Sequence, residues 1–217
     1  MKKKIAIFDL DGTLIDAYDS IYKTIDFISE KIKFKKFDYE TVKRSVGGGD
    51  QKLILNLFGE RNFKIAYTLY RENYLKFLTG NVKLLKGCIE ILNELKNKGI
   101  KIALATNRSK FCLNFLLKKV KIENYFDIIM CIDDVKNPKP DPEIIFKILE
   151  ISNFKKQQSF YVGDMDIDYL TGKNAGVDTY IVLTGSSQKD DFLKYENYLI
   201  FNNLKEVKKF LIENQLI

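Results

Sequence analysis

Apolar residues along this chain follow two alternating rhythms. IAIF (5–8), IKIALAT (100–106), FDIIMCI (126–132), SFYVG (159–163), TYIVL (179–183) and YLIF (198–201) are short, nearly continuous apolar runs. Such runs suit strands buried on both faces of a parallel sheet. Between them, GCIEILNELKNKG (87–99), SKFCLNFLLKKV (109–120), PEIIFKILEIS (142–152), DYLTGKNAG (168–176) and LKEVKKFLIEN (204–214) space their apolar positions three and four apart. That spacing predicts helices. The alternation predicts an α/β fold, a Rossmann-like parallel sheet with helices on both faces. Ligands in such sheets bind beyond the carboxyl ends of the strands.

Residues 18–80 break the rhythm. Ile21, Ile25, Ile28 and Ile32 fall on one helical face, Asp38 and Asp50 read as N-caps of further amphipathic segments, and RNFKIAYTLYRENYLKFLTG (61–80) ends on Gly80. This predicts an all-helical insert over 18–80, joined near 12–18 and 80–87 to a core made of residues 1–17 and 81–217. An oversized crossover helix pair is the simpler alternative, but the length of the insert fits a subdomain better.

Composition narrows the chemistry. No apolar run approaches the ~18 residues that a membrane span needs. The opening MKKKIAIFDLDG meets Asp9 too soon for a signal peptide, so a cytoplasmic protein is expected. Cys88, Cys112 and Cys131 lie far apart with no C-x-x-C pair, as expected of buried thiols rather than a zinc or disulfide framework. The net charge is +7, but the lysines are spread along the whole chain without a basic stripe. No nucleic-acid partner is expected, although small anions would be attracted. Histidine is absent, which leaves carboxylates, lysine, hydroxyls and backbone amides to carry any chemistry.

Those groups gather at predicted strand ends. Asp9-Leu10-Asp11-Gly12-Thr13 follows the first strand, Thr106-Asn107-Arg108 the second, and Lys139, between Pro138 and Pro140, comes after the third. Gly163-Asp164, with Asp166 and Asp168, follows SFYV. In extended chain Asp9 and Asp11 point to the same side, at most ~6.6 Å apart. Their repulsion, roughly 2–3 kcal/mol at an effective dielectric of ~20, calls for a bound cation. Each piece alone has an ordinary explanation as a turn or helix cap. Their conjunction at one sheet rim does not.

FDLDGTLID, ATNR, NPKPDP and VGDMDIDYLTGKNAG together resemble the four motifs of the haloacid dehalogenase-like hydrolases, in particular the phosphoglycolate-phosphatase-like branch with a helical cap inserted after the first strand. The resemblance runs to about residue 185. It implies Asp9 as the nucleophile that becomes an aspartyl-phosphate, and Asp11 as general acid and then base. It also implies Mg²⁺ held by Asp9, the backbone carbonyl of Asp11 and Asp164, with Asp168 orienting a metal-bound water. Thr106, Asn107 and Gly12 are implied to contact phosphate, and Lys139 to balance charge. Asp166 falls between the two acids of the pattern and is expected to face solvent or to cap. KRSVGGGD (43–50) corresponds to the substrate-specificity loop, which makes Arg44 and Gly47 candidate substrate contacts. Ala17, Met165 and Leu85 depart from the family pattern, and Leu85, where proline is frequent, implies a less stiff second linker.

The expected activity is Mg²⁺-dependent hydrolysis of a small phosphoester such as phosphoglycolate, a sugar phosphate or a nucleotide, by a monomer or weak homodimer. An acid at position 11 favours phosphoryl transfer over dehalogenation. Two rivals remain. One is a phosphomutase of the β-phosphoglucomutase type, against which Thr13 and the lack of histidine argue. The other is a non-catalytic phosphate-binding regulator on the same scaffold.

Overall fold

The computed structural model describes residues 2–78, 80, 82–196 and 198–217. The chain runs β1 (Ile5–Phe8), β2 (Ile15–Asp16), α1 (Tyr18–Lys31), α2 (Tyr39–Arg44), α3 (Asp50–Phe77), β3 (Lys83–Leu84), α4 (Cys88–Asn97), β4 (Lys101–Ala105), α5 (Lys110–Lys119), β5 (Ile128–Met130), α6 (Glu143–Ser152), β6 (Ser159–Gly163), α7 (Asp166–Ala175), β7 (Asp178–Val182), β8 (Leu199–Phe201) and α8 (Leu204–Glu213). Six strands form one parallel sheet in the order β5-β4-β1-β6-β7-β8. The expected α/β architecture is present. No helix among the described residues is long and apolar enough to cross a membrane.

The period of two in β1 sets the layering. Ile5 and Ile7 face one way, into a cluster with Ala103, Tyr161, Ile144, Ile145 and Ile148 of α6. Ala6 and Phe8 face the other way, with Ile102, Leu104, Phe160 and Val162, against α4, α5 and α8. Phe160 is fully buried and sits edge-on to Phe8, with ring centroids 6.3 Å apart, and tilted against Tyr180. Phe160→Ala is expected to lower unfolding free energy by about 3–5 kcal/mol, measured by urea titration, because a rigid sheet cannot collapse into the void.

Helices α1 to α3 lie between β2 and β3, and α1 packs on α3. Ile21, Ile25 and Ile28 are buried there, while Ile32 is half-buried past the end of α1. Two expectations need correction. Asp38 does cap α2, its carboxylate accepting from the Thr41 amide, but Asp50 caps nothing. Gly49, at φ 88°, precedes α3, and Asp50 is its buried first residue, pulled inward by Ser109 and Tyr70. The segment 50–77 breaks at Gly59, whose φ of 72° and ψ of 168° are not helical, so two helices meet there at a kink, as the two sequence segments imply. Thr79 and Asn81, at the expected junction with the core, lie outside the described residues. The second linker is not loose, since β2 and β3 pair antiparallel (Ile15 with Leu84, Asp16 with Lys83) and the Leu85 amide donates to the Leu14 carbonyl over 2.9 Å. The two linkers thus form one ribbon.

Candidate active site

The parallel sheet delivers four loops to one rim, next to the central strand β1. Asp9 follows β1 directly, Thr106 follows β4 and Asp164 follows β6. Lys139 arrives from the loop before α6. Its Nζ donates to Asp9 Oδ1 over 2.6 Å, to Asp168 Oδ1 over 2.7 Å and to the Tyr161 hydroxyl over 3.0 Å. All of these groups are buried. Burial works against the lysine charge, but Asp168 and Asp9 outweigh it and hold the ammonium above its ordinary range. Burial pushes the Asp9 carboxyl up to about 7, with Lys139 opposing and Asp168 and Asp11 adding. Asp164 is likewise raised well above the usual carboxylate range, first by burial and then by Asp168 and Asp9.

The backbone makes room for Asp164. A Cβ at Gly12, which has φ 87°, or at Gly185 would collide with its carboxylate. Thr13 Oγ1 donates to Asp164 Oδ1 over 3.2 Å, and the Ser186 amide to Oδ2 over 3.1 Å. Asp168 is spoken for at both oxygens. Oδ1 accepts from Lys139 and Tyr161, and Oδ2 from the amides of Asp164 (3.2 Å) and Met165 (3.0 Å). Carboxylate oxygens of Asp9, Asp164 and Asp168 lie within 4.8 Å of one another. Three buried acids against one lysine leave surplus negative charge, which suits a hard divalent cation.

Asp11 corrects the extended-chain reading. The strand ends at Phe8, so Asp9 and Asp11 do not share a strand face. Each acid has its own cation. Arg108 grips Asp11 through Nε to Oδ2 at 2.7 Å and Nη2 to Oδ1 at 2.6 Å. Its Nη1 donates to the Tyr74 hydroxyl of α3 over 2.6 Å. Thr106 lines the same cavity, and its Oγ1 accepts from the Arg108 amide. The Asn107 side chain ties the rim to the insert, donating to the Gly47 carbonyl over 2.9 Å and to the Lys139 carbonyl over 3.1 Å.

These residues enclose a cavity of about 40 Å³ between rim and insert, floored by Asp9, Asp11, Thr106, Lys139 and Asp168 and roofed by Ile21, Val46, Gly47, Gly49 and Leu53. Gly47 is therefore where the sequence places it. Arg44 is not. It is half exposed, 3.9 Å from Asp191, and lines a neighbouring groove. Gly12 is not on the cavity wall either, and its carbonyl accepts from Thr184. Asp166 opens α7 and pairs with Lys194 near the surface, as expected of a residue outside the acid pair. Nothing in the sequence marks Arg108, Tyr161 or Ser186 as site residues. Arg108 ends the ATNR motif, but nothing local names its partner.

A family model for haloacid dehalogenase-like hydrolases matches residues 6–182. The chain belongs to that family. Among its relatives are a pyrophosphatase, PpaX, from Halalkalibacterium halodurans, 30% identical over 84% of each chain. Another is a phosphoglycolate phosphatase from Aquifex aeolicus, 29% identical over 87% of this chain and 91% of its own. A haloacid dehalogenase-like hydrolase from Streptococcus pneumoniae superposes with a TM-score of 0.84 at 20% identity, covering 96% of this chain and 98% of the other. The carboxylate-rich rim described above thus belongs to a haloacid dehalogenase-like hydrolase.

Proposed function

We propose that this hydrolase is a Mg²⁺-dependent phosphatase for compact phosphorylated metabolites, working through an aspartyl-phosphate on Asp9. The observation that carries the reading is the Asp9 carboxylate on the central strand end, held by Lys139 beside Asp164 and beneath the helical insert. The relatives include a phosphoglycolate phosphatase and a pyrophosphatase, and the small cavity suits leaving groups of that size.

In this reading an Asp9 oxygen attacks phosphorus, and the bond to the leaving oxygen breaks with its electron pair on that oxygen. Asp11 supplies the proton that the leaving oxygen takes. Water then attacks the aspartyl-phosphate, Asp11 takes its proton, and Asp9 returns as carboxylate with release of orthophosphate. Thr106 and the Asn107 amide steady the phosphoryl oxygens, and Lys139 offsets charge on them and on Asp9. Asp168 fixes Lys139. Asp9, Asp164 and the Asp11 carbonyl would hold Mg²⁺, which neutralises charge on the phosphoryl group. The segment 18–80 serves as the cap, excluding water when seated on Asn107.

The test is phosphate release from a panel of phosphoesters and pyrophosphate, with Mg²⁺ or with EDTA. Turnover that EDTA abolishes and Mg²⁺ restores is expected. No release from any compound sinks the reading, and conversion of a sugar phosphate without release reassigns the enzyme as a mutase. A pH signature accompanies it. The Asp9 pKa is raised above its unfolded value of 3.8 to about 7. Without the ion, this group's contribution to stability therefore falls as pH rises across that window. The ion requires the ionised form. The Mg²⁺-induced rise in thermal midpoint is thus expected to be small at pH 5.5 and to grow through pH 8.

A further inference from the structure

Among the described residues on the cavity wall, only Lys139 and Arg108 carry positive charge. Lys139 is committed to Asp9 and Asp168. Arg108, only 5% exposed, spends the two-pronged edge of its guanidinium on Asp11. The rest of the guanidinium is pinned by the Tyr74 hydroxyl at 2.6 Å and by Cys112 Sγ at 3.5 Å. The arginine is thus fixed from three sides, whereas Asp11 sits in the loop just past β1. If the pair opens, Asp11 is the partner that turns.

The pair has a consequence for the proposed general acid. A carboxylate with both oxygens held in a guanidinium fork cannot also turn to the leaving oxygen of a substrate. Opening a buried ion pair without replacing the lost charge strands the partner left behind. The same planar fork, however, accepts any carboxylate or phosphate. A second anion entering the cavity would make the exchange nearly even.

We propose that Arg108 is a positioning residue that gates Asp11: a substrate bearing a negative charge on its leaving side takes the guanidinium fork, and the freed Asp11 carboxylate takes up a proton from solvent and passes it to the leaving oxygen. The inference rests on the phosphatase reading and names its substrate class. Substrates are small phosphoesters or anhydrides with a carboxylate or phosphate within a few bonds of the scissile oxygen. Esters of neutral alcohols bind their phosphoryl group at Thr106 and Lys139 but leave Asp11 clamped. Their handicap falls on kcat more than on KM.

The experiment compares phosphoglycolate with ethyl phosphate, which has a similar skeleton without the second charge, for wild type, Arg108→Gln and Arg108→Lys, all with Mg²⁺. Wild type is expected to favour phosphoglycolate by about 30-fold or more in kcat/KM, the low end of what a buried charge pair is worth. In Arg108→Gln the two substrates should move in opposite directions. Phosphoglycolate loses kcat/KM, ethyl phosphate gains kcat because Asp11 is no longer held, and the preference collapses toward unity. Arg108→Lys, a point charge without the fork, should recover only part of the preference. A parallel loss on both esters would mean that Arg108 merely supports the fold, and would overturn the gate. Equal kcat/KM for the two esters in wild type overturns it without any variant, which covers the case that Arg108→Gln fails to fold by circular dichroism. Release from both esters without charge preference leaves the phosphatase reading standing. No release from either ester or from the wider panel removes that reading and the gate with it.

Discussion

Asp9→Asn is expected to reduce turnover by about 10⁴-fold or more, the scale on which loss of a covalent nucleophile is felt, while the protein stays folded. An amide of nearly the same shape keeps an oxygen toward Lys139, which donates to Asp9 Oδ1 over 2.6 Å. It cannot form the acyl-phosphate, and it offers a divalent ion one charged ligand fewer. Two readouts separate these effects. Rapid acid quench with ³²P-labelled substrate should trap protein-bound phosphate in wild type and none in the variant, and the Mg²⁺-induced rise in thermal midpoint should shrink. Retention of most of the activity would refute Asp9 as nucleophile.

Lys139→Met should be costly twice over. The side chain is nearly isosteric but leaves Asp9 and Asp168 facing each other without the cation that lies between them. Breaking a buried pair by deleting one partner costs about 3–5 kcal/mol. The folded lysine is held above its ordinary pKa of 10.5, so its stabilisation is fully present at pH 8 and is lost only at more alkaline pH. Urea unfolding at pH 8 in EDTA should therefore show the full loss. Turnover should fall by about 10²–10³-fold, as when one preorganised charge partner of a transition state is removed. A variant as stable as wild type under those conditions would show that the triad of Lys139, Asp9 and Asp168 is not held together by charge.

The sheet was legible because its strands are apolar on both faces, so each one stands out against polar loops. The rim residues were legible for a related reason: Asp9, Thr106 and Asp164 each come immediately after a strand, so locating the strand locates the residue. Arg108 was not legible. Its partner Asp11 is remote in sequence, and only the pairing of β1 with β4 brings the two loops together. Asp50 is ambiguous in the sequence because an aspartate before an apolar run looks like a cap whether it turns to its own helix or, as here, inward to Ser109 and Tyr70. The β2–β3 ribbon leaves no trace in the sequence because strands of two residues carry no periodicity. Helix α7 begins at Asp166, two residues before its apolar pattern, because the Asp168 carboxylate gathers the amides of Asp164 and Met165.

The placement of β1 sets an order of assembly. β1 is flanked in the finished sheet by residues 101–105 and 159–163, so a nascent chain carries Asp9 long before it has a neighbour on either side. Lys139 and Asp168 come later still than Thr106. Pairings so distant in sequence are slow to form, and the apolar first strand must be kept from other partners in the meantime. The proposed site, which draws on Asp164 and Asp168 past the end of β6, is therefore complete only once β6 has docked beside β1. Recovery of activity during refolding would report completion of the sheet rather than formation of the helices.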